Sequence, residues 1–233
     1  MEGAKRNRLI IIGAGGHGKV IADIAVKNGY EDIVFLDDNE EIKECAGFPV
    51  VGKTQEAQTL DGDKIVAIGN ATIREKMQKE IDTVILIHPD AVIGRRVKIG
   101  NGTVVMAGAV INSDTQIGEG CIINTAASVD HDCVVEDYSH IAVGAHLCGI
   151  VHVGKGTWIG AGSTISNNVN ICSDITIGAG AVVVNDLKEQ GTYIGVPAKK
   201  MSKCNLTRGG YKPTVTISEI NHSYRTLCGC SAA

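Results

Sequence analysis

An aliphatic residue at every sixth position is the feature that most constrains the fold of this chain. The series runs without gap or insertion through Ile87, Ile93, Ile99, Val105, Ile111, Ile117, Ile123, Val129, Val135, Ile141, Leu147, Val153, Ile159, Ile165, Ile171, Ile177 and Val183. No helix has this period, and simple strand alternation would not keep every sixth residue aliphatic. A parallel β-helix of hexapeptide repeats does, with three hexads to each triangular coil. The series therefore predicts between five and six coils.

The amino-terminal segment shows a different pattern, in which a glycine-rich turn joins a strand to a helix. LIIIGAGGHGKVIADIAVKNG is followed by a second strand, DIVFLDD. Gly13, Gly15 and Gly18 fit G-x-G-x-x-G, and Asp37 and Asp38 lie about twenty residues further on, where a dinucleotide fold places its ribose acid. Such a turn holds phosphate at a helix start. The alternative is a tight structural turn that only packs the helix on the strand.

The extent of this first region argues against a complete dinucleotide fold. We predict a helix over Ala71–Ile81 and a strand over Val84–Ile87, after which the repeats begin. Only one mononucleotide-type half fits in that length, which favours a nucleotide over NAD. The predicted organisation is an α/β half-Rossmann-like domain over 1–87, a β-helix over 88–201 and a tail over 202–233. The tail has no hexad register and is an extension, a subunit-packing segment or an artificial addition.

Composition excludes several classes of protein. The net charge is −4 and no basic block stands out, so we expect no nucleic-acid partner. No apolar stretch is long enough to span a membrane, and the run at 9–12 is too short for a signal peptide. The eight cysteines show no C-x-x-C spacing and are expected to be reduced thiols in a cytoplasmic protein.

Several motifs together resemble one family of enzymes. GAGGHGKV, FLDD, AIGN and LIH precede the repeats, and GVPAKKM follows them. Over about residues 8–201 the chain resembles the sialic-acid O-acetyltransferase and bacillosamine-pathway sugar N-acetyltransferase family. The resemblance implies a left-handed β-helix, acetyl-CoA as co-substrate, and a homotrimer with active sites between subunits. It also implies that a nucleotide-sugar is bound by Gly16, His17, Asp37, Asp38 and Asn70.

The chemistry of acyl transfer directs attention to one histidine. The attacking group must lose a proton, and a neutral imidazole suits that task at physiological pH. His131 lies between two acids in SVDHDC. The resemblance makes His131 the general base, with Asp132 orienting the ring, although many relatives have Glu at that position. The alternative is a solvated surface histidine at a corner of the coil.

The repeat geometry and the resemblance together suggest a site for the coenzyme. Residues eighteen apart stack on adjacent coils about 4.8 Å apart, which places Gly149 over His131. The Gly149 N–H could then face the thioester oxygen. The resemblance assigns acetyl-CoA contacts to His140, Gly149, Ala161, Gly178, Gly180, Pro197 and Lys199.

Three further histidines are spaced by six residues, a regular spacing that resembles a set of metal ligands. His140, His146 and His152 fall on successive faces of the coil, so one subunit cannot bring them together. We expect no metal.

The function predicted from the sequence is N-acetylation of the 4-amino group of a nucleotide-linked amino-sugar, with UDP as the expected nucleotide. O-acetylation of a sugar such as a sialic acid is the alternative, because a His–Asp dyad serves an amine or a hydroxyl equally. A β-helix scaffold or binding protein is the non-enzymatic alternative.

Overall fold

The computed structural model describes residues 8–201, which form one compact unit. The predicted tail over 202–233 lies outside the described residues. No helix in the described part is long and apolar enough to cross a bilayer.

The amino-terminal region is a small sheet covered by helices. Its strands are β1 (Arg8–Ile12), β2 (Asp32–Leu36), β3 (Glu44–Cys45), β4 (Phe48–Gly52) and β5 (Asp63–Val66), and its helices are α1 (Gly16–Lys27), a 3-10 helix (Thr54–Gln58) and α2 (Ala71–Gln78). The strand order is β3-β4-β2-β1-β5, parallel except for β3. The apolar run of β1 is buried on both faces, as expected for a central parallel strand.

The end of this region differs in detail from the prediction. Helix α2 stops at Gln78, where the last turn tightens and the Glu80 N–H donates to the Met77 carbonyl. Only Leu86–Ile87 of the predicted last strand forms a strand (β6), and it pairs with Val104–Val105 of the β-helix. The first coil therefore begins inside the range predicted for the amino-terminal domain.

The repeats form the predicted parallel β-helix. After β6 its short strands are β7 (Val92–Ile93), β8 (Lys98–Ile99), β9 (Val104–Val105), β10 (Val110–Ile111), β11 (Gln116–Ile117), β12 (Ile122–Ile123), β13 (Ser128–Val129), β14 (Val134–Val135), β15 (His140–Ile141), β16 (His146–Leu147), β17 (His152–Val153), β18 (Trp158–Ile159), β19 (Thr164–Ile165), β20 (Asn170–Ile171), β21 (Ile175–Ile177) and β22 (Val182–Val183). Two closing strands follow, β23 (Gly191–Ile194) and β24 (Lys199–Lys200).

These strands build three faces of a triangular prism. Sheet 1 contains β6, β9, β12, β15, β18, β21, β23 and β24; sheet 2 contains β7, β10, β13, β16, β19 and β22; sheet 3 contains β8, β11, β14, β17 and β20. Every strand residue from β6 to β19 pairs with the residue eighteen further on, as Ser128 does with His146. Each coil contributes one strand to each of the three faces, so the seventeen strands β6 to β22 make between five and six coils. This confirms the predicted number of coils.

The interior is a column of the aliphatic series. From Val105 to Val183 every member of the series is buried, whereas Ile93 is 36% exposed. The first coil lies at the end of the prism, so only one neighbouring coil covers its interior. At the other end Leu187 and Tyr193 pack against the column and close it.

Buried hydroxyl groups tie neighbouring coils together beside the aliphatic column. Thr103 is fully buried; its Oγ1 donates to the Gly118 carbonyl (2.8 Å) and accepts from the Cys121 N–H (2.9 Å). Thr157 makes the same two contacts with the Cys172 carbonyl and the Ile175 N–H. These hydroxyls satisfy backbone groups that the strand ladder leaves without a partner.

Thr103→Val should therefore lower the free energy of unfolding by about 1–3 kcal/mol, because two buried backbone groups lose their partner while the side-chain shape is kept. Urea unfolding followed by circular dichroism measures this change. Thr164→Val is the matched control, since Thr164 is half-buried on sheet 2 and its hydroxyl has no hydrogen bond within residues 8–201. Equal effects of the two substitutions would contradict this role for Thr103.

A buried arginine anchors the amino-terminal region to the β-helix. Arg74 of α2 is 1% exposed, and its guanidinium donates to the carbonyls of Gly120 (2.6 Å) and Tyr138 (2.7 Å), which lie on successive coils. It also donates to the carbonyls of Ile68 and Gly69 before α2. The segment before α2 is thereby fixed relative to sheet 1.

Candidate active site

His131 and Asp132 form the two turn residues of one corner between sheets 2 and 3. Asp132 has a left-handed backbone (φ 57°), as does every sixth residue from Arg96 to Gly180. His131 Nδ1 lies 2.8 Å from Asp132 Oδ2, and both side chains are about half exposed. This hydrogen bond raises the pKa of His131. In the neutral ring Nδ1–H donates to the carboxylate, so Nε2 carries the lone pair that a general base needs.

A second acid, Asp130, precedes His131 and links the turn to the preceding coil. Asp130 Oδ1 accepts from the backbone N–H of His131 (2.8 Å) and from Asn112 Nδ2 (2.7 Å). The Asn112 hydrogen bond, followed by that of His131, lowers the pKa of Asp130. Sequence reasoning missed Asn112, although its position eighteen residues before Asp130 was a usable signal.

Gly149 lies directly against the imidazole, as the eighteen-residue spacing predicted. A Cβ on Gly149 would lie 2.7 Å from His131 Nε2, closer than any side chain allows. Within residues 8–201 the Gly149 N–H has no hydrogen-bond acceptor. The lone pair of the ring and an unpaired backbone donor are therefore close neighbours.

A second pair of histidines lies where the amino-terminal region meets sheet 1. His140 is 9% exposed, its Nε2 is 3.0 Å from Asn124 Nδ2, and its ring centroid is 4.3 Å from that of Trp158. Burial lowers the pKa of His140 to about 3, and the neighbouring His17 and the Arg74 guanidinium disfavour its protonation further. Burial, and then Arg74, lowers the pKa of His17 to about 4. Both rings are neutral at physiological pH.

Each of these two rings has an unsatisfied nitrogen. Among the described residues, His17 Nε2 and His140 Nδ1 are buried without a hydrogen-bond partner. Because an unpaired buried polar group costs free energy, such atoms are characteristic of ligand sites. The sequence assigned His17 and His140 to different ligands, and the structure brings them near enough that protonation of one would disfavour protonation of the other.

The glycine-rich loop borders a surface cavity of about 400 Å³. Its lining includes four of the five predicted nucleotide-sugar residues, namely Gly16, His17, Asp37 and Asp38. Gly18 cannot carry a Cβ, which would lie 2.3 Å from the Gly13 carbonyl oxygen, so the turn packs α1 tightly on β1. The glycine-rich turn therefore does pack the helix on the strand, as the structural alternative predicted. The cavity beside it remains open to a ligand.

Three of the predicted nucleotide-sugar residues also make local hydrogen bonds. Asp37 Oδ2 accepts from the Ala14 N–H (2.7 Å). Asp38 accepts from the N–H and the Oγ1 of Thr54. Asn70 caps α2 by accepting from the Ile73 N–H, so the structure gives it a capping role beside the cavity.

A larger cavity of about 600 Å³ lies between the 3-10 helix and α2. It shares Asp38 and Thr54 with the cavity at the glycine-rich loop. Its other polar lining residues include Gln55, Gln58 and Lys76. No motif in the sequence indicated this cavity, because it depends on how two separate helices pack.

The predicted coenzyme residues divide between two corners of the prism. Ala161, Gly178 and Gly180 follow strands of sheet 1 and lie at its corner with sheet 2, whereas Gly149 lies at the corner of sheets 2 and 3. Pro197 lies in the turn between β23 and β24. Lys199 on β24 is exposed and has no carboxylate partner in the described part of the chain.

The three histidines spaced by six lie on three different sheets, as their spacing predicted. His140 is on sheet 1, His146 on sheet 2 and His152 on sheet 3. His146 Nδ1 is 2.8 Å from Ser128 Oγ, and His152 Nε2 is 2.8 Å from Glu136 Oε1. In the region 8–201 no group of three or more His, Cys, Asp or Glu residues is arranged to hold a metal.

The two clusters face in different directions within one chain. His131 and Gly149 lie at the corner opposite sheet 1, while His140 lies on sheet 1 and His17 lies in α1. In a triangular prism a corner and the opposite face cannot contact the same small ligand. One chain therefore presents these residues as two separate clusters.

Comparisons with known proteins identify relatives of both regions of the chain. Residues 8–81 match the model of the PglD N-terminal domain. The chain is 34% identical over 108 residues to UDP-N-acetylbacillosamine N-acetyltransferase of Bacillus subtilis (strain 168), covering 42% of this chain and only 50% of that protein.

Solved structures match over a longer range. The acetyltransferase domain of PglB from Neisseria gonorrhoeae FA1090, in complex with acetyl coenzyme A, is 41% identical with a TM-score of 0.82, covering 85% of this chain and 100% of that chain. PerB from Caulobacter crescentus, in complex with CoA and GDP-perosamine, is 36% identical with a TM-score of 0.80, covering 84% and 98%. The chain therefore belongs to the hexapeptide-repeat acyltransferase family that includes the bacillosamine-pathway sugar N-acetyltransferases.

Proposed function

We propose that this protein transfers the acetyl group of acetyl-CoA to the 4-amino group of a nucleotide-linked amino-sugar, with UDP as the nucleotide. The observation that carries the proposal is the His131–Asp132 dyad, whose free Nε2 packs on Gly149 beside an unpaired N–H. The named activity of the Bacillus subtilis relative and the ligands of PerB support the substrate class.

In the proposed reaction, His131 Nε2 removes a proton from the amine as the nitrogen attacks the thioester carbonyl. The Gly149 N–H donates to the oxyanion that forms. The carbon–sulfur bond then breaks, and the proton held by His131 returns to the departing thiolate. Asp132 stabilises the imidazolium between these steps. The products are the N-acetylated sugar and CoA.

The proposal assigns a role to each part of the chain. Residues 1–87 bind the nucleotide-sugar through Gly16, His17, Asp37, Asp38 and Asn70. Residues 88–201 bind acetyl-CoA through His140, Gly149, Ala161, Gly178, Gly180, Pro197 and Lys199. The open cavity at the glycine-rich loop and the unpaired charge of Lys199 support these assignments. We place the protein in the cytoplasm, where acetyl-CoA is available and cysteines stay reduced.

An acetyl-CoA consumption assay over a panel of nucleotide-linked sugars tests the function. We expect turnover with UDP-linked 4-amino-sugars, and slower turnover with their GDP-linked counterparts. Release of CoA with free sialic acid and none with any amino-sugar would favour the O-acetyltransferase alternative. No turnover with any acceptor, together with intact folding, would favour a scaffold.

We further propose that the protein is a homotrimer. The two clusters act as half-sites that face apart in one chain, so a complete site needs the corner of one subunit and sheet 1 of its neighbour. Light scattering should give three chains per particle, and a monomer at assay concentration would contradict the proposal.

Mixed trimers test the sharing of the site directly. Chains carrying His131→Ala, co-expressed with chains carrying both His17→Ala and His140→Ala, should regain activity that neither variant has alone. Recovery occurs because some interfaces then combine two intact half-sites. No recovery in verified mixed trimers would show that the site belongs to one chain.

A further inference from the structure

Ile150 has a backbone conformation that β-branched residues rarely adopt. It follows Gly149, lies eighteen residues after Asp132, and has a left-handed φ of 61°. That conformation brings Cβ close to the following carbonyl oxygen, which is especially unfavourable for a residue that is branched at Cβ. Within residues 8–201 no other β-branched residue has a left-handed backbone. The presence of isoleucine at this position therefore needs an explanation.

The repeat explains the conformation of Ile150 but not the choice of residue. The turn at this corner has a left-handed residue in each coil, and the equivalent positions hold Arg96, Asp114, Asp132 and Asn168. Asn and Asp adopt this backbone more readily than other non-glycine residues, because their short polar side chains can hydrogen-bond locally. Residues held in unfavourable backbone conformations cluster at active sites and ligand-binding segments. The aliphatic side chain of Ile150 therefore indicates a role beyond the turn itself.

The side chain of Ile150 is exposed beside the groups that carry out the proposed reaction. It is 52% exposed, although it is aliphatic. Its backbone N–H donates to the His131 carbonyl at 3.0 Å, which fixes it on the coil that follows the dyad. The N–H of the preceding residue, Gly149, has no acceptor within residues 8–201. Two consecutive residues thus supply an unpaired donor and an uncovered apolar surface.

The chemistry of a thioester suggests what would cover that surface. The carbonyl carbon carries an oxygen, a sulfur and the acyl chain. In the proposed reaction the oxygen accepts from the Gly149 N–H, and the sulfur continues into coenzyme A. The acyl chain is the apolar substituent of the reacting carbon, and its transfer from water to an apolar surface is favourable. Ile150 presents such a surface directly beside the donor to the oxygen.

We propose that Ile150 is a specificity-determining residue that forms one wall of the acyl pocket and restricts the donor to a short acyl chain. Its side chain covers the methyl group of acetyl-CoA and leaves no room for the additional methylene groups of propionyl-CoA or butyryl-CoA. This inference rests on the proposed function, because it takes the Gly149 N–H as the donor to the acyl oxygen.

Ile150→Ala tests the wall, because it removes most of the side chain and keeps the backbone. The measurement is kcat/KM for acetyl-, propionyl- and butyryl-CoA with one sugar acceptor. The value for butyryl-CoA relative to acetyl-CoA should rise at least tenfold, since one methylene group in an apolar pocket changes discrimination by about 10–200-fold. Val92→Ala is the matched control, because Val92 is also an exposed aliphatic residue (58%) but lies in the first coil. The ratio should not change in the control, and an unchanged ratio in Ile150→Ala would overturn the proposal.

A second substitution separates this role from a structural one. Ile150→Asn favours the left-handed backbone and replaces the apolar wall with a polar one. It should unfold at the native temperature or above and keep the native mass in light scattering. The KM for acetyl-CoA should rise about fourfold, the effect of losing apolar cover for one methyl group. A lower unfolding temperature or a changed mass would mean that Ile150 serves packing or subunit contact, and the proposal would fail.

Calorimetry without a sugar acceptor keeps this inference distinct from the proposed function. Titration with acetyl-CoA and butyryl-CoA should show the same change of preference between the native protein and Ile150→Ala. A native protein that binds acetyl-CoA but transfers no acetyl group would refute the proposed function and leave the calorimetric preference to decide the role of Ile150. A native protein that binds neither acyl-CoA would refute both.

Discussion

Replacing His131 with Ala is expected to lower kcat by about 10²–10⁴, the usual effect of losing a general base. The KM for acetyl-CoA should change little, because the base acts on the acceptor. Steady-state kinetics with both substrates varied measures the two effects separately. His146→Ala is the matched control, since that histidine lies on the neighbouring sheet and contacts Ser128. Comparable losses in both variants would remove the special role of His131.

The pH profile tests the partner of the base. Asp132 raises the pKa of His131, and the base must be unprotonated to act. The kcat/KM of the native protein should therefore rise with pH through this raised pKa. Asp132→Asn should move that acid limb to lower pH and reduce the plateau, because the imidazolium loses its stabilising charge. A limb that stays in place would show that Asp132 does not act on His131.

Gly149→Ala is expected to lower kcat about 100-fold while the protein stays folded. The new Cβ would lie 2.7 Å from His131 Nε2, so the half-exposed ring must turn away from its position on Asp132. Misplacing a reacting group by about 1 Å typically has an effect of this size. Thermal unfolding checks that the fold is intact.

A double substitution tests whether Gly149→Ala lowers kcat by displacing the His131 ring. In a His131→Ala background, Gly149→Ala should cause almost no further loss, because its effect acts through the ring. A full additional 100-fold loss in that background would mean that Gly149 contributes independently of His131.

The β-helix could be predicted almost completely from the sequence because its geometry imposes the period. Each inward position repeats after six residues, and each stack repeats after eighteen. Gly149 could therefore be placed over His131 without a structure. The half-Rossmann sheet could also be predicted, since β1 and its glycine-rich turn are encoded within a few neighbouring residues.

What could not be predicted depends on how the two regions meet. Helix α2 ends early where it meets the coils, with Gln78 donating to the Asn101 carbonyl. The sequence does not distinguish Arg74 from an ordinary helix residue, because its role depends on four carbonyl partners that only the structure shows. The pairing of Asn124 with His140 likewise requires the side-chain orientations at that junction. The roles of Asp37 and Asp38 stay predictions, because their local hydrogen bonds leave oxygen lone pairs available.

The eighteen-residue stacking also restricts how the length of this chain can change over evolutionary time. Inserting or deleting six residues before His131 would rotate it onto another edge of the prism. A change of eighteen would keep its direction and move it about 4.8 Å along the axis. Tolerated length changes between Ile93 and Gly149 should therefore come in whole coils, or bulge outward at a corner and leave the count of stacked residues unaltered.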